Sequence, residues 1–274
     1  MTMMVTAPVA TNAPRRRRRF FDRLTSCVLA LAVPIGLVVA WHVAVVSGVL
    51  PHTLVAGPLD SLEAFVRLAM DGTLIEHAWV SVRRIAIGFA IGSTVGILAG
   101  AVIGTSPLAA KILEPTALTL IPVPAVAWIP VLVIVFGIGE LSKVTLVAMG
   151  SATTLILATA AGIRSASQDL VEVAQLYEKS RWTVLRTVLL PSAAPSIVAS
   201  ARVAMALSWT LLVAAEVIAS ANGLGWLIWD SRNFARPAAM IAGMLAIGIL
   251  GKATDGLLAR FGRYLTRWDR SYRG

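Results

Sequence analysis

The chain has 274 residues and a mass of 28.9 kDa; 57% of its residues are apolar, 14% are charged, and the mean hydropathy is +0.80. Soluble domains are about 45–50% apolar and about 25% charged, so disorder, a disulfide-built secreted scaffold and an ordinary cytosolic enzyme are excluded. The single cysteine, Cys27, cannot form an internal disulfide, and the net charge of +10 comes from basic residues flanking apolar runs, which points to the cytoplasmic leaflet and not to nucleic acid.

A helix needs about 20 mostly apolar residues to cross the hydrocarbon layer, and six charge-poor stretches approach that length. The tail 1–26 carries Arg15 to Arg19 followed by Phe20 and Phe21. It resembles an export signal of the twin-arginine type, but the apolar segment behind it is too long and five more spans follow, so it reads as the basic flank of an uncleaved first helix at 27–50. An outer loop with a short amphipathic helix is expected at 51–84. A core of five helices follows over 85–258, with spans at 85–105, 116–136, 144–162, 196–220 and 238–250, the last extendable to 258 although Lys252 and Asp255 interrupt it; 259–274 is a basic tail. With the amino terminus inside, the segments 1–26, 106–115, 163–202 and 251–274 hold 18 of the 24 Lys and Arg residues. Arg67, Arg83, Arg84, Lys143, Arg232 and Arg236 fall outside. That asymmetry places both termini in the cytoplasm. The fold class is an all-α membrane protein of about six transmembrane helices, with a cytoplasmic helix–turn–helix between spans four and five.

Span two carries Gly88, Gly92, Gly96, Gly100 and Gly104, a four-residue row that leaves a groove along one face. The row serves either close helix packing or the wall of a pathway. Span three holds Pro122, Pro124 and Pro130 after Pro115, so it must be kinked or interrupted, and freed backbone groups at membrane depth need protein or a water-filled cavity beside them. Pro122, Pro124, Trp128 and Pro130 here, with Trp209 and Glu216 on span five, are the candidates for a pathway. Glu216 alternatively has a structural partner, since an unpaired carboxylate in lipid is costly, and Arg202 near the inner end can snorkel to the headgroups.

The loop 163–195 is the most informative segment. Asp169 and Glu172 have the spacing of a reciprocal helix cap, and Leu170, Val171, Ala174 and Tyr177 form an apolar stripe. Ser180 can cap a second short helix in which Trp182, Leu185, Val188 and Leu189 share a face, and Pro191 and Pro195 are expected to end it. Such a pair lies on the lipid surface or docks as a wedge in a soluble partner. His42, His52 and His77 have no ligand cluster beside them, and the sequence has no phosphate-binding Gly-Lys loop, so no metal is expected and the chain cannot hydrolyse ATP alone. The shortage of intramembrane acidic residues and of internal repeats argues against an ion-coupled transporter, and the lack of clustered catalytic groups argues against a membrane enzyme.

The loop residues Glu172, Val173 and Ala174, then Ser180, Arg181 and Trp182, then Leu189, Leu190 and Pro191, together with Phe136 to Lys143, Ala215 and Glu216, and Gly223 to Ile228, resemble the permease subunit of bacterial ATP-binding-cassette importers, in the group carrying nitrate, taurine and aliphatic sulfonates. The resemblance runs from about Leu50 to the carboxyl end. It implies a homodimer in the cell inner membrane, two cytoplasmic ATPase subunits that bind the ATP, and a periplasmic or lipid-anchored solute-binding protein. It also implies that Glu172, Ala174, Gln175, Leu176, Tyr177, Glu178 and Ser180 form the coupling contact with the ATPase, and it favours a small anion as solute. The family usually has glycine where this chain has Glu178, and a glutamate pays about a kcal/mol or more for a positive φ. Either this turn keeps right-handed torsions or the pair is hinged differently.

Overall fold

Apolar length, and where proline breaks it, sets the architecture. The computed structural model describes residues 32–51, 54–120 and 123–268, and every regular element among them is a helix. They fall into two units, one ending at Asp60 and one beginning at Ser61. In the first, α1 (Ala32–Val46) exposes Val33, Ile35, Leu37 and Val43, and Gly48 at φ +78° turns the chain out of it. The start of the expected first span, 27–31, lies outside the described residues, as do the tail 1–26 and Pro122. Proline opens α2 (Pro58–Met70), whose bounds straddle the division.

In the second unit α3 (Thr73–Thr105) is 33 residues long. It begins twelve residues before the expected start of span two, so the end of the expected outer loop is helix. Charged residues at 76, 83 and 84 end an apolar scan, but they do not end the helix, in which Arg83 and Arg84 are both paired with Glu140. α4 (Pro107–Leu120) and α5 (Ile129–Phe136) replace the expected third span. Between them Pro124 precedes a short 3-10 turn, Ala125–Trp128, and Pro130 sits in the first turn of α5, where its missing N–H costs nothing.

α6 (Glu140–Arg164) is followed by the short α7 (Gln168–Leu176) and α8 (Arg181–Val184). The chain then stays helical through a π turn, Leu185–Leu189, into α9 (Leu190–Ala219). The expected helix end at Pro191 and Pro195 is therefore corrected: the wide turn accommodates the first proline, and the second lies inside α9. α10 (Leu224–Asn233) and α11 (Pro237–Leu265) complete the unit. Among the described residues four helical runs are long and apolar enough to cross a membrane: α3, α6, Arg181–Ala219 and α11; Ala32–Val46 and Ala125–Phe136 are shorter apolar segments. The expected weak sixth span is a full-length helix, and Asp255 on it pairs with Arg202 of α9 (Nε–Oδ1 2.7 Å, Nη2–Oδ2 3.0 Å). Arg202 is thus paired with a residue of α11.

The glycine row faces α6. A Cβ on Gly88 would lie 2.7 Å from Val147, on Gly96 2.8 Å from both Ala152 O and Leu155 Cβ, on Gly100 2.6 Å from Thr159, and on Gly104 3.0 Å from Ile163; on Gly92 it would strike Ser151 and the Ala148 carbonyl. Residue numbers rise together on both helices, so α3 and α6 are parallel and backbone to backbone along five successive steps. α9 runs antiparallel to α6, with Leu211 against Gly150 and Ala193 against Gly162. Val147, Met205, Trp209, Leu212, Leu224 and Leu227 form the core where α3, α6, α9 and α10 meet.

Candidate functional site

Two features lie at opposite ends of α6, which at 25 residues is about 37 Å long. The first, α7 and α8, follows its carboxyl end. α7 starts at Gln168, so Asp169 is inside its first turn and the expected cap from Asp169 to Glu172 is replaced by a backbone bond from Val171 N to Ser167 O at 3.4 Å. At the other end Lys179 N donates to Ala174 O at 3.2 Å, with Glu178 at φ +52°. This is the six-to-one bond of a Schellman cap, whose left-handed position glycine usually fills. The turn therefore keeps the left-handed geometry, with a glutamate paying its cost. Ser180 Oγ accepts from Thr183 N at 3.2 Å and caps α8.

The apolar stripe divides in two. Val171 and Ala174 are half-buried, whereas Leu170, Val173, Leu176 and Tyr177 are exposed, with Leu176 at 82% and Tyr177 at 75%. Trp182 is 67% exposed, and Val184 of α8 is buried. Glu172, Glu178 and Ser180 are exposed as well. The free apolar face is thus centred on Val173 and Leu176, not on Ala174 as the stripe suggests. Gln175 lies on α7.

The second feature was missed in the sequence. Arg84 is 1% exposed, and its guanidinium uses every donor it has. Nη1 donates to Glu216 Oε1 at 2.8 Å and to the Asn222 carbonyl at 3.0 Å; Nε donates to Glu140 Oε2 at 2.9 Å; Nη2 donates to Glu140 Oε1 and Asn222 Oδ1. Glu216, with no exposure, also accepts from Ser81 Oγ and Gly225 N, each at 2.8 Å. Leu224 N donates to Ser81 Oγ at 2.9 Å and Gly223 N to His77 Nδ1 at 3.1 Å. The first amide groups of α10, which have no partner within the helix, are thereby satisfied by side chains of α3 and α9. Lys143, 2% exposed, donates to the carbonyls of Gly139 at 2.9 Å and Ile138 at 3.4 Å. Arg84 and Lys143, counted above as loop charges, are interior groups of α3 and α6.

The remaining pathway candidates separate by exposure. Trp209 is buried and its Nε1 donates to Thr254 Oγ1 at 3.1 Å, and Glu216 is enclosed by the arginine cluster. Pro124 and Pro130 are exposed and Trp128 is half-buried. The cavity lined by Ile129, Leu132, Lys143, Leu146 and Ala215 measures about 10 Å³, room for about one water.

Residues 92–267 match the family described as "Binding-protein-dependent transport system inner membrane component". The chain is 31% identical over 264 residues to the aliphatic sulfonates transport permease protein SsuC of Bacillus subtilis, covering 96% of each. It is 34% identical over 273 residues to the taurine transport system permease protein TauC of Escherichia coli, covering 98% of each. Over 190 residues, 68% of each chain, it is 32% identical to the nitrate import permease protein NrtB of Synechococcus elongatus. In fold it is similar to a chain of the methionine ABC transporter MetNI in an inward-facing conformation, with a TM-score of 0.62 and 20% identity, over 72% of this chain and 98% of that one.

Proposed function

This chain belongs to the family of binding-protein-dependent transport system inner membrane components, and from that premise we propose that it forms the translocation pathway of an ATP-driven importer for a small anion of the sulfonate, taurine or nitrate kind. Relatives named for sulfonates and taurine over nearly the whole length, and one named for nitrate over 68% of each chain, support the solute class. The observation that carries the mechanism is the free apolar face of α7, a helix of nine residues too short to cross a membrane, on which Leu170, Val173 and Leu176 are exposed, with Tyr177 and Trp182 exposed directly after it. An amphipathic helix of this kind fits a groove on a soluble partner, and here the partner is the ATPase subunit that binds the ATP. Two ATPases, a second copy of this chain and an external solute-binding protein complete the assembly. The pathway is placed between two copies of the chain, as in other members of the family, with the exposed Pro124 and Pro130 as candidates to line it.

Both termini and α7 are read as cytoplasmic. The burial of Arg84 and Lys143 supports this, since it leaves four basic residues in the outer loops against 18 inside. Reporter fusions after Gly72 and Asn222 are expected to report outside, and fusions after Arg164 and Gly274 inside. Vesicles holding the permease and ATPase, with the binding protein added, test the whole reading. Labelled taurine, an alkanesulfonate and nitrate are offered in parallel, and uptake is expected to require ATP. Uptake driven by a proton gradient without ATP would replace this reading with a secondary transporter.

A further inference from the structure

One tie of the arginine cluster depends on an unprotonated imidazole. A backbone N–H only donates, so the ring nitrogen of His77 that meets Gly223 N at 3.1 Å carries a lone pair, whichever way the ring is turned. His77 is 9% exposed, and its ring lies 5.2 Å from that of Trp226 at a tilt of 37°. A proton on that nitrogen would set donor against donor, and with the ring so enclosed the contact must open. His77, Ser81 and Arg84 stand at i, i+4 and i+7 on one face of α3, and all three hold the segment 222–224. Histidine is the side chain whose ordinary pKa, about 6.5, lies inside the range from about 5 to 8.

We propose that His77 is a proton-sensing positioning residue, which holds the turn between α9 and α10 when neutral and releases it when protonated. The carboxylates facing the ring are Glu76 on its own helix and Asp230 on α10, the latter bound to Arg236; Glu216 and Arg84 lie one to two helical turns further along. The turn sits at the end of α6 remote from α7 and α8, the side on which an external binding protein delivers solute in the reading above. Acid on that side would loosen the turn without any proton being carried across. The inference goes beyond the transport reading, and its test does not depend on it.

Hydrogen exchange on the purified full-length permease decides the matter. All samples carry His42→Gln and His52→Gln, which leaves His77 as the sole imidazole of the three. Exchange of the amides of Gly223 and Leu224 is measured from pH 8 to pH 5 and corrected for the intrinsic rate. If the closed turn excludes the imidazolium and the open one titrates at about 6.5, opening rises up to about thirtyfold at pH 5. His77→Gln, whose side-chain oxygen can accept the same amide at every pH, is expected to give a flat profile. A flat profile in the chain retaining His77 overturns the proposal, and so does an equal rise in His77→Gln. Should the Gln variant not fold, His77→Asn takes its place, with the same two outcomes read from its profile.

Discussion

Removing the carboxylate of Glu216 isolates a buried guanidinium. Arg84 is 1% exposed and Glu216 fully enclosed, so solvent cannot compensate either group. Glu216→Gln keeps the shape and the bond from Ser81 but leaves Arg84 with the half-exposed Glu140 as its one remaining anion. Breaking a buried pair from one side costs about 3–5 kcal/mol, most of it the cost of the uncompensated charge. Glu140 offsets part of that, so the lower end, about 3 kcal/mol, is expected. At about 2–4 °C per kcal/mol for a unit of this size, the midpoint of thermal unfolding in detergent should fall by roughly 10 °C. Arg84→Met alone should cost a similar amount by stranding Glu216. Arg84→Met combined with Glu216→Gln should cost less than the sum of the two, since neither charge is then left behind. The exposed pair Arg164 and Glu114 is the control, and Glu114→Gln should cost under about 1 kcal/mol. Additive losses at 84 and 216, or a loss at 216 no larger than at 114, would refute the argument that burial makes this pair matter.

At Gly96 a Cβ meets Ala152 O and Leu155 Cβ at 2.8 Å, so Gly96→Ala should already cost about 1–3 kcal/mol and Gly96→Leu should abolish folded protein, read as monodisperse yield. Gly248, whose Cβ would meet nothing within 4 Å, should accept Ala at no loss. Glu178→Gly should raise stability by about 1 kcal/mol where the left-handed torsion is relieved, measured on the purified chain, and a loss would mean that the glutamate side chain makes a compensating contact. Val173→Asp should leave membrane insertion intact and abolish co-purification with the ATPase, whereas Ala174→Asp should lower the stability of the permease itself, because Ala174 is half-buried against its own chain. Equal co-purification with and without Val173→Asp would remove the exposed face from the contact.

The sequence announced the glycine row and the broken third span, because both follow from local rules: small residues at a helical spacing, and prolines without amide hydrogens. Arg84 was invisible to the same scan, since a charge marks the end of an apolar stretch whatever it pairs with. A usable signal was nevertheless present. Continued backward, the row from Gly104 to Gly88 passes to Arg84, and then to Ser81 and His77, on the same face of α3. A face that packs backbone to backbone on another helix cannot turn toward lipid one step earlier, so the arginine had to meet protein. Its partners could not be named, because Glu140, Glu216 and Asn222 come from three elements brought together by packing alone. The division of the α7 stripe was illegible for a similar reason. Leu170, Val171, Val173 and Ala174 are all apolar, and periodicity does not tell the half that meets the chain's own bundle from the half left free.

The packing also limits how the two ends of the unit can communicate. Contacts between α3 and α6 recur every four residues on both helices, and each glycine lies beneath a side chain or carbonyl of its neighbour. A slide of one helix along the other by less than a full step, about 6 Å, drives those groups into the next ridge. Arg84 ties the same two helices to α9 and to the start of α10 at one end, and Arg202 with Asp255 ties α9 to α11. Shear between α3 and α6 is therefore disfavoured, and on the reading proposed above a motion starting at α7 and α8 is expected to leave that pair intact. Such a motion is expected to carry α3 and α6 as one body and to bend the chain where regular hydrogen bonding is already broken. Two such places are the π turn Leu185–Leu189, directly behind the α7 and α8 pair, and the 3-10 turn Ala125–Trp128 that leads into α5.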